Sequence, residues 1–477
     1  MGVAGQRSSR VVGRRVVITR ADIVERVGEW QLTEEVIEKD YVLGWLLWGF
    51  GSDPVLADQW VFKGGTCLKK CYIETHRFSE DLDFTVLPGG PYRPEQIESL
   101  LQRTLARVHD ASGIDFSSKT PTLRLRPDEL STEGRVYYIG PRQTPQAARV
   151  KLDISANEIV VRPPVLRDIA HPYPDGPLPG RVRCYSFEEV FAEKIRAMAQ
   201  RARPRDLYDI VNLFRRNDLR LYPEVIRQAL VEKCEAKGIA APVAGDFVDS
   251  PLIAALEGDW SQMLAHQLPA LPPLQSFLDE LPLLFGWLDG TAEFEDLPPL
   301  PGAQDEQAWS PPPTVATWGV GIPLETVRFA ATNHLCVELH YEGRWRLIEP
   351  YSLRRSSAGR LLLHAERSDG SGHRTYGVDK IAGLRVTTTP FRPRYPIEFS
   401  SQGPLHAPSQ SRMSTGAGVG LRRISSRPRR TTPVHLYQCN RCGKEFRHSR
   451  RDATPRAHKD PYGSPCPGRH GVYLGIR

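Results

Sequence analysis

The sequence predicts a mixed α/β domain with a helical C-terminal half, then a smaller β-rich module and a short metal-stabilised tail. Three observations predict this. Residues 16–286 alternate between apolar positions at three- and four-residue steps and short β-type runs that end in turns. Composition breaks at 287–317, an acidic, proline-rich stretch without a basic residue, and again at 400–434, which is rich in Ser, Pro, Gly and Arg. Finally, Cys439, Cys442 and Cys466 crowd into the last 40 residues. The expected organisation is therefore a first domain at 16–286, a linker at 287–317, a β module at 318–399, a basic linker at 400–434 and a small module at 435–477.

The elements follow in order. VERVGEWQLTEEVIEKDYVLGWLLWGF carries helical periodicity across residues 16–50. VFKGGTCLKKCY reads as strand, tight turn and helix, and RFSEDLDFTV as the next strand. A helix is expected at 94–112, and VYYIG and ARVKLDISANEIVV are β-rich. SFEEVFAEKIRAMAQR is a helix that Ser186 can cap, with Glu189 placed to complete a capping box. RDLYDIVNLFRR continues the helical pattern, and 222–288 stays largely helical. Short β segments separated by glycine turns return at 318–399.

Composition narrows the class of molecule. The chain has 477 residues, 40% hydrophobic and 25% charged, as in a soluble globular protein. Apolar runs fall short of the ~18 to 20 residues that span a bilayer. The N-terminus is basic without an apolar signal core, so a cytoplasmic location is expected. Cys67, Cys71, Cys184, Cys234 and Cys336 are scattered as reduced thiols would be. The net charge of +7 is unevenly spread: residues 401–477 hold 15 Lys or Arg against 3 Asp or Glu. A basic tail on a slightly acidic body suits a polyanionic partner.

Asp81 and Asp83 carry the chemistry. Residues i and i+2 of a strand share a face, and two carboxylates there oppose each other's ionisation. A divalent cation would relieve that opposition. Upstream, Lys63, Gly64, Gly65 and Thr66 form a strand-to-helix turn where backbone N–H groups can approach a phosphate. Downstream, VKLDIS places Asp153 on another strand, and a third carboxylate completes an oxygen-rich magnesium site. Lys194 on the EEVFAEKIRAM helix can offset triphosphate charge. Thr66 and Ser79 are candidate phosphate contacts or caps. Asp206 can cap its helix or pair with Arg205, and Asp209 reads as structural. Lys39 and Asp40 can orient the site or form a surface pair.

This ordered set resembles the nucleotidyltransferase superfamily of the DNA polymerase beta type, and more narrowly the AbiEii/AbiGii toxin family. EKDYVLGWLL, FKGGTCLKKCY, RFSEDLDF, VKLDIS and SFEEVFAEKIRAMAQRARPRDLYDI carry the resemblance over about residues 20–286. The gap between Gly65 and Asp81 is slightly longer than is usual in the superfamily. The resemblance implies an α/β (α+β) nucleotidyltransferase fold with a glycine turn at Gly64 and Gly65. It places the metal pair at Asp81 and Asp83, a further acid at Asp153, the basic helix residue at Lys194 and an RDxxD element at Asp206 and Asp209. It also implies Mg²⁺, an NTP, transfer to RNA such as the tRNA 3′ end, and a toxin or phage-defence role with an antitoxin protein. A protein side chain as acceptor, and a nucleic-acid-binding regulator on a non-catalytic transferase fold, stand as alternatives.

Residues 324–399 resemble the WYL domain, a small Sm-like β-barrel. Tyr341, Arg344, Arg346, the EPYSL string around Tyr351, Gly359, Arg374 and DKI at 379–381 carry it, although the name-giving tripeptide is absent. The resemblance implies a nucleic-acid or nucleotide-like ligand, with Arg344, Arg346 and Arg374 as basic contacts and Tyr341 and Tyr351 for stacking. The alternative is that the tyrosines are core and the arginines a solvated face. In the tail, Cys439-x2-Cys442 forms a knuckle of the zinc-ribbon kind, with Cys466 and His470 as second pair and His448 or His458 as substitutes for His470. About 40 residues bury too little core alone, so structural Zn²⁺ would supply the missing stability.

Overall fold

In the computed structural model, the described residues are 18–73, 77–173, 175, 180–216, 222–247, 251–292, 297–302, 306–308, 324–399, 435–439, 445–448, 458–459, 465–466 and 471–476. They fall into two compact units, one within 1–409 and one within 410–477. Among them, no helix is long and apolar enough to cross a membrane.

Helices α1 (Arg20–Trp30), α2 (Glu34–Ser52) and α3 (Pro54–Gln59) lead into strand β1 (Trp60–Lys63). The chain then turns at α4 (Gly64–Cys67), runs through a π-helical turn (Leu68–Tyr72), and enters β2 (Asp81–Val86). After α5 (Pro94–Ser112) come β3 (Thr122–Leu125), β4 (Ser131–Tyr138), β5 (Ala148–Ser155), β6 (Val165–Asp168) and β7 (Arg181–Cys184). These strands form one mixed sheet in the order β3-β4-β5-β2-β1-β7-β6, in which β2 runs parallel to β5 and antiparallel to β1. Alternation explains the choice of faces: Leu82 and Phe84 are buried while Asp81 and Asp83 stay half-buried on the opposite side.

Helices α6 (Phe187–Arg201), α7 (Pro204–Phe214), α8 (Pro223–Glu235), α9 (Pro251–Leu264), α10 (Gln275–Leu278) and α11 (Leu281–Leu288) make the helical half. Ser186 caps α6, its hydroxyl accepting from the Glu189 N–H at 3.2 Å. The expected capping box is replaced by something stronger. The buried Glu189 carboxylate accepts from the Val161 and Arg162 N–H groups at 3.0 and 2.9 Å, and Lys233 Nζ lies 2.9 Å away. A carboxylate with no water must take such partners.

Strands β8 (Gln307–Ala308), β9 (Leu335–Tyr341), β10 (Arg344–Arg355), β11 (Leu361–Arg367), β12 (Gly372–Gly377) and β13 (Ile381–Pro390) follow, with α12 (Leu324–Thr332) before β9. Their order is β12-β11-β10-β9-β13, antiparallel throughout, with β8 added at the C-terminal end of β10. Among the described residues these strands form an antiparallel sheet in which β12 and β13 are the two ends. Two expectations change. Part of the 287–317 segment is docked: Leu300 is buried with Tyr351 and Phe391, and Glu306 bonds His364 at 2.6 Å. The two expected domains also share one hydrophobic core, which runs from Ile23 through Leu213 to Val327 and Leu339. Thr326 donates to the Glu29 carbonyl at 2.8 Å across that junction.

The second unit holds a three-stranded sheet, ordered β15 (Glu445–His448), β14 (His435–Cys439), β18 (Gly471–Ile476), and a pair, β16 (His458–Lys459) with β17 (Pro465–Cys466).

Candidate active site

The glycine turn and the acids meet where β1, β2 and β5 lie side by side. Asp83 is the register partner of Lys63 on β1 and of Asp153 on β5. Adjacent strands stand about 4.8 Å apart, so Asp83 and Asp153 face each other across one strand spacing. Gly64 adopts φ +81°, and a Cβ built on it would lie 2.2 Å from Asp83 Oδ2. The position therefore requires glycine twice over, for its left-handed backbone and for the carboxylate against it. A Cβ on Gly65 would lie 2.5 Å from Arg77 Nη2 and 3.2 Å from Ser79 Oγ. The turn is sandwiched between an acid and a buried arginine.

The electrostatics match crowded acids. Burial, then the Asp153 and Asp81 carboxylates, push Asp83 up to about 6, although Lys63 pulls the other way. Asp81 is also raised, first by burial and then by Glu80, against the pull of Lys151 and Arg205. Asp153 accepts from Arg126 Nη2 at 2.5 Å. Hard oxygen donors whose ionisation is resisted are the kind of group that a divalent cation relieves.

Other sequence-predicted residues take different work. Thr66 Oγ1 donates to the Asp81 carbonyl at 2.5 Å, which pins the start of β2 to the turn. Lys63 Nζ is ion-paired with Glu158. Lys194 is nearly buried, 2.6 Å from Asp209 and 3.4 Å from Asp206. Asp206 is held by Arg201 at 2.7 and 3.0 Å, not by Arg205. Asp209 takes a two-pronged contact from Arg77 at 2.7 and 2.8 Å. Asp40 is likewise no surface group: it is buried on Lys70 at 2.7 Å, while Lys39 pairs with Glu80 at 2.8 Å. Sequence reasoning passed over Arg77, Arg126 and Glu158, and named Arg205 only as a partner for Asp206. Only Arg77 carried a signal, two residues ahead of Ser79 in the quoted motif.

In the second sheet, Arg344 and Arg374 are exposed and Arg346 lies 5.6 Å over the Tyr341 ring. Tyr351 is corrected: it is fully buried against Phe391 and Tyr395, so its face is closed to a base. The exposed aromatic is Trp345, 49% accessible, stacked on His340 at 4.9 Å with Arg385 at 4.7 Å. In the second unit, ligand atoms of Cys439, His458 and Cys466 lie within 4.8 Å of one another, a donor set that suits zinc. Cys442 and His470 lie outside the described residues.

A glycine bend set against carboxylates on neighbouring strands defines the class: the chain is a nucleotidyltransferase. Residues 45–282 match the family model described as nucleotidyl transferase AbiEii toxin, Type IV TA system, and this part of the chain is an AbiEii-type nucleotidyltransferase toxin domain. Among solved structures, MenT4, the nucleotidyltransferase toxin Rv2826c from Mycobacterium tuberculosis H37Rv, is 20% identical at a TM-score of 0.38, over 57% of this chain and 90% of that one. No curated protein sequence matches the chain.

Proposed function

We propose that the chain transfers a nucleoside monophosphate from an NTP to a hydroxyl of RNA, with the tRNA 3′ end as acceptor, and acts as a toxin or phage-defence effector held in check by an antitoxin protein. The register of Asp83 against Asp153, beside the close-approach glycine Gly64, carries the reading. In the reaction the acceptor oxygen bonds to the α-phosphorus, the bond to the β-phosphate oxygen breaks, and pyrophosphate leaves. Magnesium, when bound, would supply charge neutralisation at the phosphates. Asp81, Asp83 and Asp153 would hold it, and one of these carboxylates takes the acceptor proton. The Gly64–Gly65 backbone receives the triphosphate. Ser79 and Arg205 flank it, and Lys194 stands behind it, held by Asp206 and Asp209.

The exposed Trp345, with Arg385 over its ring, offers stacking and charge to a single-stranded end. Zinc, held by Cys439, His458 and Cys466, would brace the basic tail. Incubating full-length protein with labelled NTP, Mg²⁺ and either total RNA or total protein tests the reading. Label in tRNA, lost in Asp81→Ala, supports it. Label in protein alone moves the acceptor to a side chain. Toxicity and nucleic-acid binding that survive Asp81→Ala without any label transfer would favour a binding role.

A further inference from the structure

Three thiols converge directly behind the glycine turn. Cys67 closes α4, Cys71 sits one helical turn later in the π-helical segment, and Cys184 ends β7 as the register partner of Phe62. Residues four apart share a helical face, and the neighbouring strand brings the third. The three Sγ atoms lie within 4.8 Å of one another, and all three residues are buried. Packing alone would accept any small apolar side chain at these positions. A disulfide would use two of the thiols and strand the third.

The geometry points to a second metal site, in which Cys67, Cys71 and Cys184 bind a zinc ion as thiolates behind the active-site turn. Zn–S bonds of about 2.3 Å place sulfurs roughly 3.8 to 4 Å apart, so a small contraction of the cluster completes the shell. Binding displaces three protons to solvent and changes no oxidation state. Charge favours zinc over a monovalent soft ion. Three thiolates and Zn²⁺ leave one negative charge, and the Arg167 guanidinium lies 4.7 Å over the Tyr72 ring with its Nε 3.4 Å from the Cys71 carbonyl. Tyr72 Oη, 3.9 Å from Cys184 Sγ, donates to the Tyr185 carbonyl at 2.6 Å and keeps lone pairs for a fourth bond. The segment also contains a π-helical turn, closed by Ile73 N–H to the Leu68 carbonyl at 2.7 Å, a rare element that gathers at functional sites. A buried site of this kind is loaded as the chain folds, and it would tie the glycine turn to β7. The proposal does not depend on the acceptor or on Mg²⁺.

The test is metal content of the full-length chain, expressed with zinc and purified under reductant. About two zinc ions per chain are expected, one here and one in the tail. Cys184→Ala should lose one, Cys439→Ala should lose the other, and the double variant should hold none. Cys67→Ala reads the same site if Cys184→Ala does not fold. Cadmium added to zinc-stripped Cys439→Ala should give a thiolate charge-transfer band that Cys67→Ala in that background removes. Zinc content unchanged by both Cys184→Ala and Cys67→Ala overturns the proposal. So does a disulfide among the three in non-reducing peptide mapping of chain purified without reductant.

Discussion

Two acidic clusters lie on either side of the glycine turn, and they differ in what opposes them. Asp206 and Asp209 are buried and meet Lys194, Arg201 and Arg77 at close range. Asp81, Asp83 and Asp153 are half-buried on neighbouring strands, and the first two are held above the usual carboxylate range. The first cluster satisfies its own charges and fixes Arg77 against Gly65. In the second, Arg126 pairs with Asp153, while burial and the neighbouring carboxylates keep Asp81 and Asp83 raised. Identical side chains thus become framework or chemistry according to the cations supplied by the fold.

This contrast can be broken at either end. Asp83→Asn should lower NTP transfer by about 10³-fold or more, the loss of several kcal/mol of metal-linked stabilisation, measured as label incorporated at saturating Mg²⁺. Asp209→Ala should act on the fold, destabilising it by about 3–5 kcal/mol because it leaves the buried Arg77 without its carboxylate and Lys194 with Asp206 alone; denaturant unfolding reads this. Gly64→Ala should cost about 1–2 kcal/mol of stability and about 10²-fold in transfer, since its Cβ displaces the Asp83 carboxylate; turnover measured beside unfolding separates the two.

The smallest effect is a pH dependence. Asp83 titrates at about 6 in the fold, and so binds its proton more tightly than in the unfolded chain. Its penalty is absent below about pH 4 and complete above about pH 6, so stability falls as pH rises through that window. Without Mg²⁺, Asp83→Asn should be more stable than the parent above pH 6 by about 1–2 kcal/mol, the gain vanishing near pH 4. Glu29, also raised by burial to about 6, contributes to both chains and cancels in the difference. Thermal melts from pH 4 to 8 would show it, and parallel curves would remove the claim of crowded charge.

Much of this was legible beforehand. The glycine turn, the alternation of acids in RFSEDLDFTV and the helix after Ser186 follow from local rules: positive φ needs glycine, strands alternate faces, and hydroxyls cap helices. The partners of Lys63, Lys194 and Asp206 were not, because Glu158 and Asp209 come from separate elements. Tyr351 and Trp345 show the same limit. One is core and the other surface, although both lie on β10, because the layer beneath the strand decides which face is covered.

By itself, the order of residues determined many of the elements, the glycine turn and the paired acids, which rest on short-range periodicity and backbone preference, while the class of enzyme rests on the resemblance of its ordered motifs to a known family. Tertiary structure alone decided that Asp153 lies beside Asp83, that Arg77 neutralises Asp209, and that three distant cysteines share one pocket of core. Charge pairing and burial depend on distance in space, and only packing brings residues 77 and 209, or 67 and 184, within reach of each other.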